Sequence, residues 1–143
     1  MKYVLIGGVA ARLHGSPDLT EDVDITPEES RENLTRLAVA LREIGARLRG
    51  AEHVEWPIDA HALEAADIFT LTTDLGMLDL CFRPGGEQTY EQLAKHAQTF
   101  EIFGLEIPVA SLDDIIESKV AAGRNKDLRA LPTLRLLQDR LRQ

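Results

Sequence analysis

Asp22, Asp24 and Asp79 are the residues whose types and spacing point most directly to chemistry. Val23 and Ile25 alternate with Asp22 and Asp24, the pattern of a strand with one apolar and one acidic face. On such a strand both acids leave the same face, with Cα atoms about 6.5–7 Å apart. Carboxylates placed together repel one another unless a cation lies between them. Asp79 interrupts an otherwise apolar run, Met77-Leu78-Asp79-Leu80-Cys81-Phe82, and a carboxylate in a central strand needs a partner. A neighbouring strand carrying Asp22 and Asp24 supplies one if the three acids share a divalent cation. Oxygen donors suit Mg²⁺, and carboxylates around Mg²⁺ suit phosphoryl chemistry, in which one ion holds a triphosphate while a second activates a hydroxyl.

Gly7-Gly8 separates an apolar run from a helical one, and backbone N–H groups free of side chains can approach a phosphate there. Each feature alone has a plainer reading. Gly-Gly can be a turn, Asp22 and Asp24 the exposed acids of an edge strand, and Asp79 the partner of an arginine. Their combination in this order favours the metal site.

These residues need elements to carry them. Tyr3-Val4-Leu5-Ile6 reads as a buried strand, Val9 to His14 as a short helix stopped by Gly15, and Asp22 to Ile25 as a strand. Thr26-Pro27-Glu28-Glu29 reads as a helix start, with Thr26 as cap and Leu34, Leu37, Ala38, Leu41 and Ile44 at helical spacing behind it. Residues 46 to 66 show no clear period. Ile68 to Thr73 and Met77 to Phe82 form a hairpin about Asp74-Leu75-Gly76, Tyr90 to Ala97 a short helix, and Phe100 to Val109 a second hairpin about Gly104. Ser111 caps the next helix, and Leu128 to Leu141 is the last, with Pro132 near its start. The order predicts an α/β protein with a mixed β-sheet flanked by helices, as one minimal domain over residues 1–143.

The bulk properties agree. With 44% hydrophobic and 28% charged residues, the chain is neither disordered nor membrane-spanning, and its first six residues are too short for a leader. A single cysteine, Cys81, suits a reducing cytoplasm. The net charge of −8 argues against broad nucleic-acid binding. That charge is uneven: residues 117–143 carry +4 and the rest −12, so metal-binding acids and phosphate-binding cations can meet in one site.

The run Leu5-Ile6-Gly7-Gly8-Val9-Ala10-Ala11-Arg12-Leu13-His14-Gly15, followed by Thr20-Glu21-Asp22-Val23-Asp24-Ile25, resembles the signature of the DNA polymerase beta-like nucleotidyltransferase superfamily. Asp79 stands in the setting of that family's third acid. Ser111 to Lys119, continuing from Ala122 to Leu128, is similar to the toxin-type branch found in type IV toxin–antitoxin pairs. The resemblance implies the nucleotidyltransferase fold, a nucleoside triphosphate substrate, Mg²⁺ held by Asp22, Asp24 and Asp79, and a toxin or antitoxin partner. It implies that Gly7, Gly8 and Lys119 hold the triphosphate, and that Arg124 neutralises phosphate or pairs with an acid. Asp127 orients one of these cations or acts in proton transfer, and Asp79 is the base for an attacking hydroxyl. Three features depart from the pattern: Gly8 lacks the hydroxyl often found there, Asp18 stands where relatives often carry arginine, and the sequence stops soon after its last helix.

The sequence therefore predicts transfer of a nucleotide to a hydroxyl on a small molecule, a protein or, less in keeping with the charge, RNA. The alternatives are a weakly active or inactive nucleotide-binding or antitoxin-type module of the same fold, and an α/β interaction domain with no ligand. Among single residues, the sequence predicts a carbonyl-satisfied His14, a packing role for Trp56, a buried inert thiol at Cys81, and local pairing of Arg83 with Glu87.

Overall fold

A computed structural model describes residues 1–143, Gly86 in its backbone alone. The elements follow as β1 (Tyr3–Ile6), α1 (Gly7–Leu13), β2 (Asp22–Pro27), α2 (Arg31–Glu43), β3 (Arg47–Leu48), α3 (Ala60–Leu63) and β4 (Ile68–Thr73). Then come β5 (Gly76–Cys81), α4 (Tyr90–His96), β6 (Gln98–Ile102), β7 (Leu105–Val109), α5 (Leu112–Ala122) and α6 (Asn125–Leu141). The strands form one sheet in the order β3-β4-β5-β2-β1-β7-β6. It is mixed: β2 runs parallel to β5 and β1 parallel to β7, while the other neighbours are antiparallel. The expected α/β class with a mixed sheet is the one observed.

Register and the two-residue period of a strand sort the side chains. Leu5, Ile25 and Leu80 are register partners across β1, β2 and β5, and all three are buried. They join a core that includes Leu34, Leu37 and Leu41 of α2, Leu63 of α3 and Leu71 of β4. Burying a leucine in this way stabilises by about 1.5–3 kcal/mol each. The alternate row runs Thr70, Asp79, Asp24, Ile6 across β4, β5, β2 and β1. The same periodicity that builds the core thus places two acids side by side on one face of the sheet's central strands.

The helix start expected at Thr26 lies elsewhere. β2 continues through Pro27, which pairs with Tyr3, and Ser30 caps α2 by accepting from the Asn33 N–H at 3.2 Å. Thr26 is fully buried and donates its hydroxyl to the Cys81 carbonyl at 2.7 Å, so the strand satisfies the group that a cap would have used. The buried Asn33 side chain donates to the carbonyls of Lys2 and Glu28, both at 2.8 Å, and ties the start of α2 to the edge of β1. Helix α6 begins at Asn125 rather than Leu128, because the Asp127 carboxylate accepts from the Arg124 N–H and caps the first turn. Pro132 consequently lies inside the helix. The aperiodic stretch 46 to 66 yields only the two-residue β3 and the one-turn α3, too short to show a period.

Candidate functional site

The three acids expected to gather do share one face. Asp22 and Asp24 lie two residues apart on β2, and Asp79 on β5 is the register partner of Asp24, with adjacent strands about 4.8 Å apart. Asp24 shows the strain of this arrangement. Its carboxyl is pushed up to about 6, first by burial, then by the charges of Asp79 and Asp22 and by a hydrogen bond with Asp79. Gly7 makes the packing possible. It has φ +70°, and a Cβ built on it would lie 2.3 Å from Asp24 Oδ2, so any side chain there would displace the carboxylate.

The plainer expectation for Asp79 is also realised, because it pairs with an arginine. Arg49 follows β3, in the stretch that showed no period, and was not anticipated as a site residue. Its Nη2 donates to Asp79 Oδ1 at 2.7 Å and to the Leu71 carbonyl at 2.7 Å. Its Nη1 lies 3.8 Å from Asp22 Oδ2, and its Nε is buried without a partner. Among the described residues, no group of three or more His, Cys, Asp or Glu side chains is placed to hold a metal ion as it stands. Asp22 and Asp79 are turned toward Arg49 instead. The one hint of this residue in the sequence is charge balance, since three acids crowded on one face need a cation.

The cationic side of the site comes from the junction of α5 and α6. Gly123, with φ +63°, ends α5 in the left-handed region. Lys119 and Arg124 therefore sit on either side of a chain reversal rather than along one helix face. Both converge on Asp127, whose side chain is 3% exposed: Arg124 Nε donates to Oδ2 at 2.7 Å, and Lys119 Nζ lies 3.8 Å from Oδ1. Burial alone would raise the Asp127 carboxyl, but the Arg124 hydrogen bonds and the charges of Arg124 and Lys119 outweigh it and hold the group below the ordinary range.

One cleft of about 1080 Å³ joins the two sides. Gly7, Gly8, Asp22, Asp24, Asp79, Lys119, Arg124 and Asp127 all line it, so every site residue singled out in the sequence faces the same space. Thr20 and Asp18 line it too. A Cβ on Gly8 would lie 2.8 Å from both Cβ and Oγ1 of Thr20, so the threonine hydroxyl stands where a side chain at position 8 would project.

The single residues fall as follows. His14 Nε2 lies 2.8 Å from the Ala110 carbonyl and its ring packs edge-on against Phe100, in keeping with a carbonyl-satisfied histidine. Trp56 stacks on Phe69. Cys81 is half-buried, and burial pushes its thiol up. Arg83 departs from the expected pairing with Glu87, donating instead to Glu29 Oε2 at 2.8 Å. Because β2 runs past Thr26, Glu29 lies on the loop before α2, within reach of the end of β5.

No sequence-family model matches the chain, and no curated protein sequence is similar to it. Solved structures are similar in fold. The lincosamide antibiotic adenylyltransferase LnuA, with lincomycin bound, superposes with a TM-score of 0.59 at 15% identity, over 95% of this chain and 87% of that one. A candidate nucleotidyltransferase of Thermotoga maritima gives 0.57 at 18% identity, over 92% and 80%. An antigenic nucleotidyltransferase-like protein of Paracoccidioides brasiliensis gives 0.52 at 19% identity, over 93% and 66%. With its mixed sheet and flanking helices, this chain has the fold shared by these nucleotidyltransferase structures.

Proposed function

We propose that the chain is a Mg²⁺-dependent nucleotidyltransferase. The observation that carries this is the parallel pairing of β2 and β5, which sets Asp24 beside Asp79 with Asp22 on the same face, against a backbone that only Gly7 can bring so close. The donor set suits the ion: three carboxylates offer hard oxygens, and one carboxyl is held up at about 6, first by burial and then by its negative neighbours. Asp22, Asp24 and Asp79 would hold Mg²⁺, which when bound neutralises triphosphate charge and makes an acceptor hydroxyl more acidic.

The chain's own residues supply the rest. Gly7 and Gly8 admit the triphosphate close to the backbone, and the Thr20 hydroxyl stands beside them. Lys119 and Arg124 offset the phosphate charge, with Asp127 fixing both cations in place. The acceptor hydroxyl attacks the α-phosphorus and gives its proton to Asp79. The bond to the β-phosphate oxygen breaks, so that a nucleoside monophosphate is joined to the acceptor and pyrophosphate leaves. Most of the rate comes from positioning and charge neutralisation, as in phosphoryl transfer generally.

A small hydroxyl-bearing molecule is the acceptor this reading favours. The net charge of −8 disfavours RNA, and LnuA, similar in fold, binds the small molecule lincomycin. A protein side chain and a toxin–antitoxin partner are the other assignments, and the sequence resemblance alone supports the latter. A second reading, a nucleotide-binding module with little or no activity, draws on Asp18 in the cleft and on the Arg49 pairing of Asp79. Among the described residues, no helix is long and apolar enough to cross a membrane. The lone cysteine fits a cytoplasmic location.

Melting temperature with ATP, GTP, CTP and UTP, with and without Mg²⁺, tests the site. Stabilisation by a nucleotide that needs Mg²⁺ and disappears in the Asp22→Asn/Asp24→Asn variant supports it, and its absence for all four removes it. Pyrophosphate release with hydroxyl-bearing small molecules then separates the enzyme from the binding module.

A further inference from the structure

The proposed function gives Arg49 no role, yet its Nη2 donates to Asp79 Oδ1 at 2.7 Å. We propose that Arg49 is a built-in counter-ion of the carboxylate site, a positioning residue that holds Asp79 in the cation-free protein and gives it up when a divalent cation enters. On this account Arg49 sets the cation concentration at which the site assembles. The inference rests on reading Asp22, Asp24 and Asp79 as metal ligands.

Three features support it. First, the guanidinium reaches the two acids that flank Asp24 in the cluster, 2.7 Å from Asp79 and 3.8 Å from Asp22. A single cation facing both carboxylates takes up the charge that a divalent ion would otherwise neutralise, so the two compete. Second, the backbone at Arg49 is fixed, because its N–H donates to the Thr70 carbonyl at 2.9 Å and extends the β3–β4 ladder. Its Nη2 is also anchored on the Leu71 carbonyl. Release of Asp79 thus needs a side-chain rotation and no change in the backbone. Third, the arginine is incompletely satisfied. Its Nε is buried with no acceptor, and 27% of its side chain is exposed. A buried donor without a partner weakens the hold, which favours exchange over a permanent plug.

Mn²⁺ titration of the full chain without nucleotide, with free Mn²⁺ followed by electron paramagnetic resonance, tests this. The proteins compared are wild type, Arg49→Gln, Arg49→Lys and Asp22→Asn/Asp24→Asn, and melting temperatures are read in EDTA and in saturating Mn²⁺. Removing the competing charge is expected to tighten Mn²⁺ binding by about tenfold or more in Arg49→Gln. Melting should fall in EDTA and recover in Mn²⁺. Arg49→Lys, which keeps a charge but loses the fork that reaches two acids, should lie between, and carries the test if Arg49→Gln does not fold. Unchanged or weaker Mn²⁺ binding in the foldable variants, with wild-type binding that the double asparagine variant abolishes, overturns the counter-ion role and leaves the metal site standing. Binding in Arg49→Gln but not in wild type supports the proposal in its strongest form. If no protein binds Mn²⁺ above the double asparagine variant, both the inference and the metal-site reading fall.

Discussion

Replacing Asp24 by asparagine removes one negative charge from the cluster and leaves the side-chain shape against Gly7 unchanged. In the wild type the Asp24 carboxyl rises from an ordinary 3.8 to about 6, a difference of roughly 3 kcal/mol between its protonation states. The carboxyl is only partly buried and solvent screens some of this, so about 2 kcal/mol is a fair figure for Asp24. Because the folded protein holds this proton more tightly than the unfolded chain, the stability tied to it is fully present below about pH 4 and lost as pH rises through about 6. Asp24→Asn does not lose it. In EDTA at pH 7.5 the variant should therefore melt higher than wild type by about 6–8 °C, and at pH 4 the two should coincide. Circular dichroism melts at the two pH values read this directly. Excess Mg²⁺ should raise the wild type at pH 7.5 and leave the variant unchanged. A variant less stable than wild type at pH 7.5, or a gain of equal size at both pH values, would refute the crowding of acids from which the metal site is argued.

Gly7→Ala should cost at least about 1–2 kcal/mol, because the added Cβ meets both a left-handed backbone and Asp24 Oδ2 at 2.3 Å; it should also weaken Mn²⁺ binding, read by the same titration. Gly8→Ala should destabilise through its 2.8 Å approach to Cβ and Oγ1 of Thr20, and Thr20→Gly, which removes both atoms, should rescue it, a coupling of about 1 kcal/mol in a urea double-mutant cycle. Asp127→Asn should cost about 2 kcal/mol at pH 7 in urea unfolding, since two cations lose a buried partner. With the native carboxyl held below its ordinary range, that penalty should be present at neutral pH and fade as pH falls through the depressed value.

The sequence made most of this site legible because its strands obey a two-residue period. Val23 and Ile25 alternating with Asp22 and Asp24 told which face each acid takes, and the lone acid in the Met77–Phe82 run marked β5 as their neighbour. Strand pairing itself is set by distant segments, so the register of Asp24 with Asp79 appears only in the fold. Thr26 misled because threonine before proline and glutamate looks like a cap, while the buried Cys81 carbonyl gave its hydroxyl a better use. Arg49 was invisible for a different reason. It follows a two-residue strand, its side chain crosses β4 to reach β5, and nothing within the stretch 46 to 66 records that reach. The chain reversal at Gly123 likewise turned a loose spacing of Lys119 and Arg124 into joint pairing with Asp127.

The central claim is that Asp24 and Asp79 hold a divalent cation together with a nucleotide. Anomalous diffraction from crystals grown with Mn²⁺ and a non-hydrolysable nucleoside triphosphate tests it most directly. The account predicts an anomalous peak within about 2.0–2.6 Å of carboxylate oxygens of both residues, with Arg49 turned away from Asp79. A peak elsewhere, or bound nucleotide with Asp79 still on Arg49 and no peak between the two acids, would contradict it.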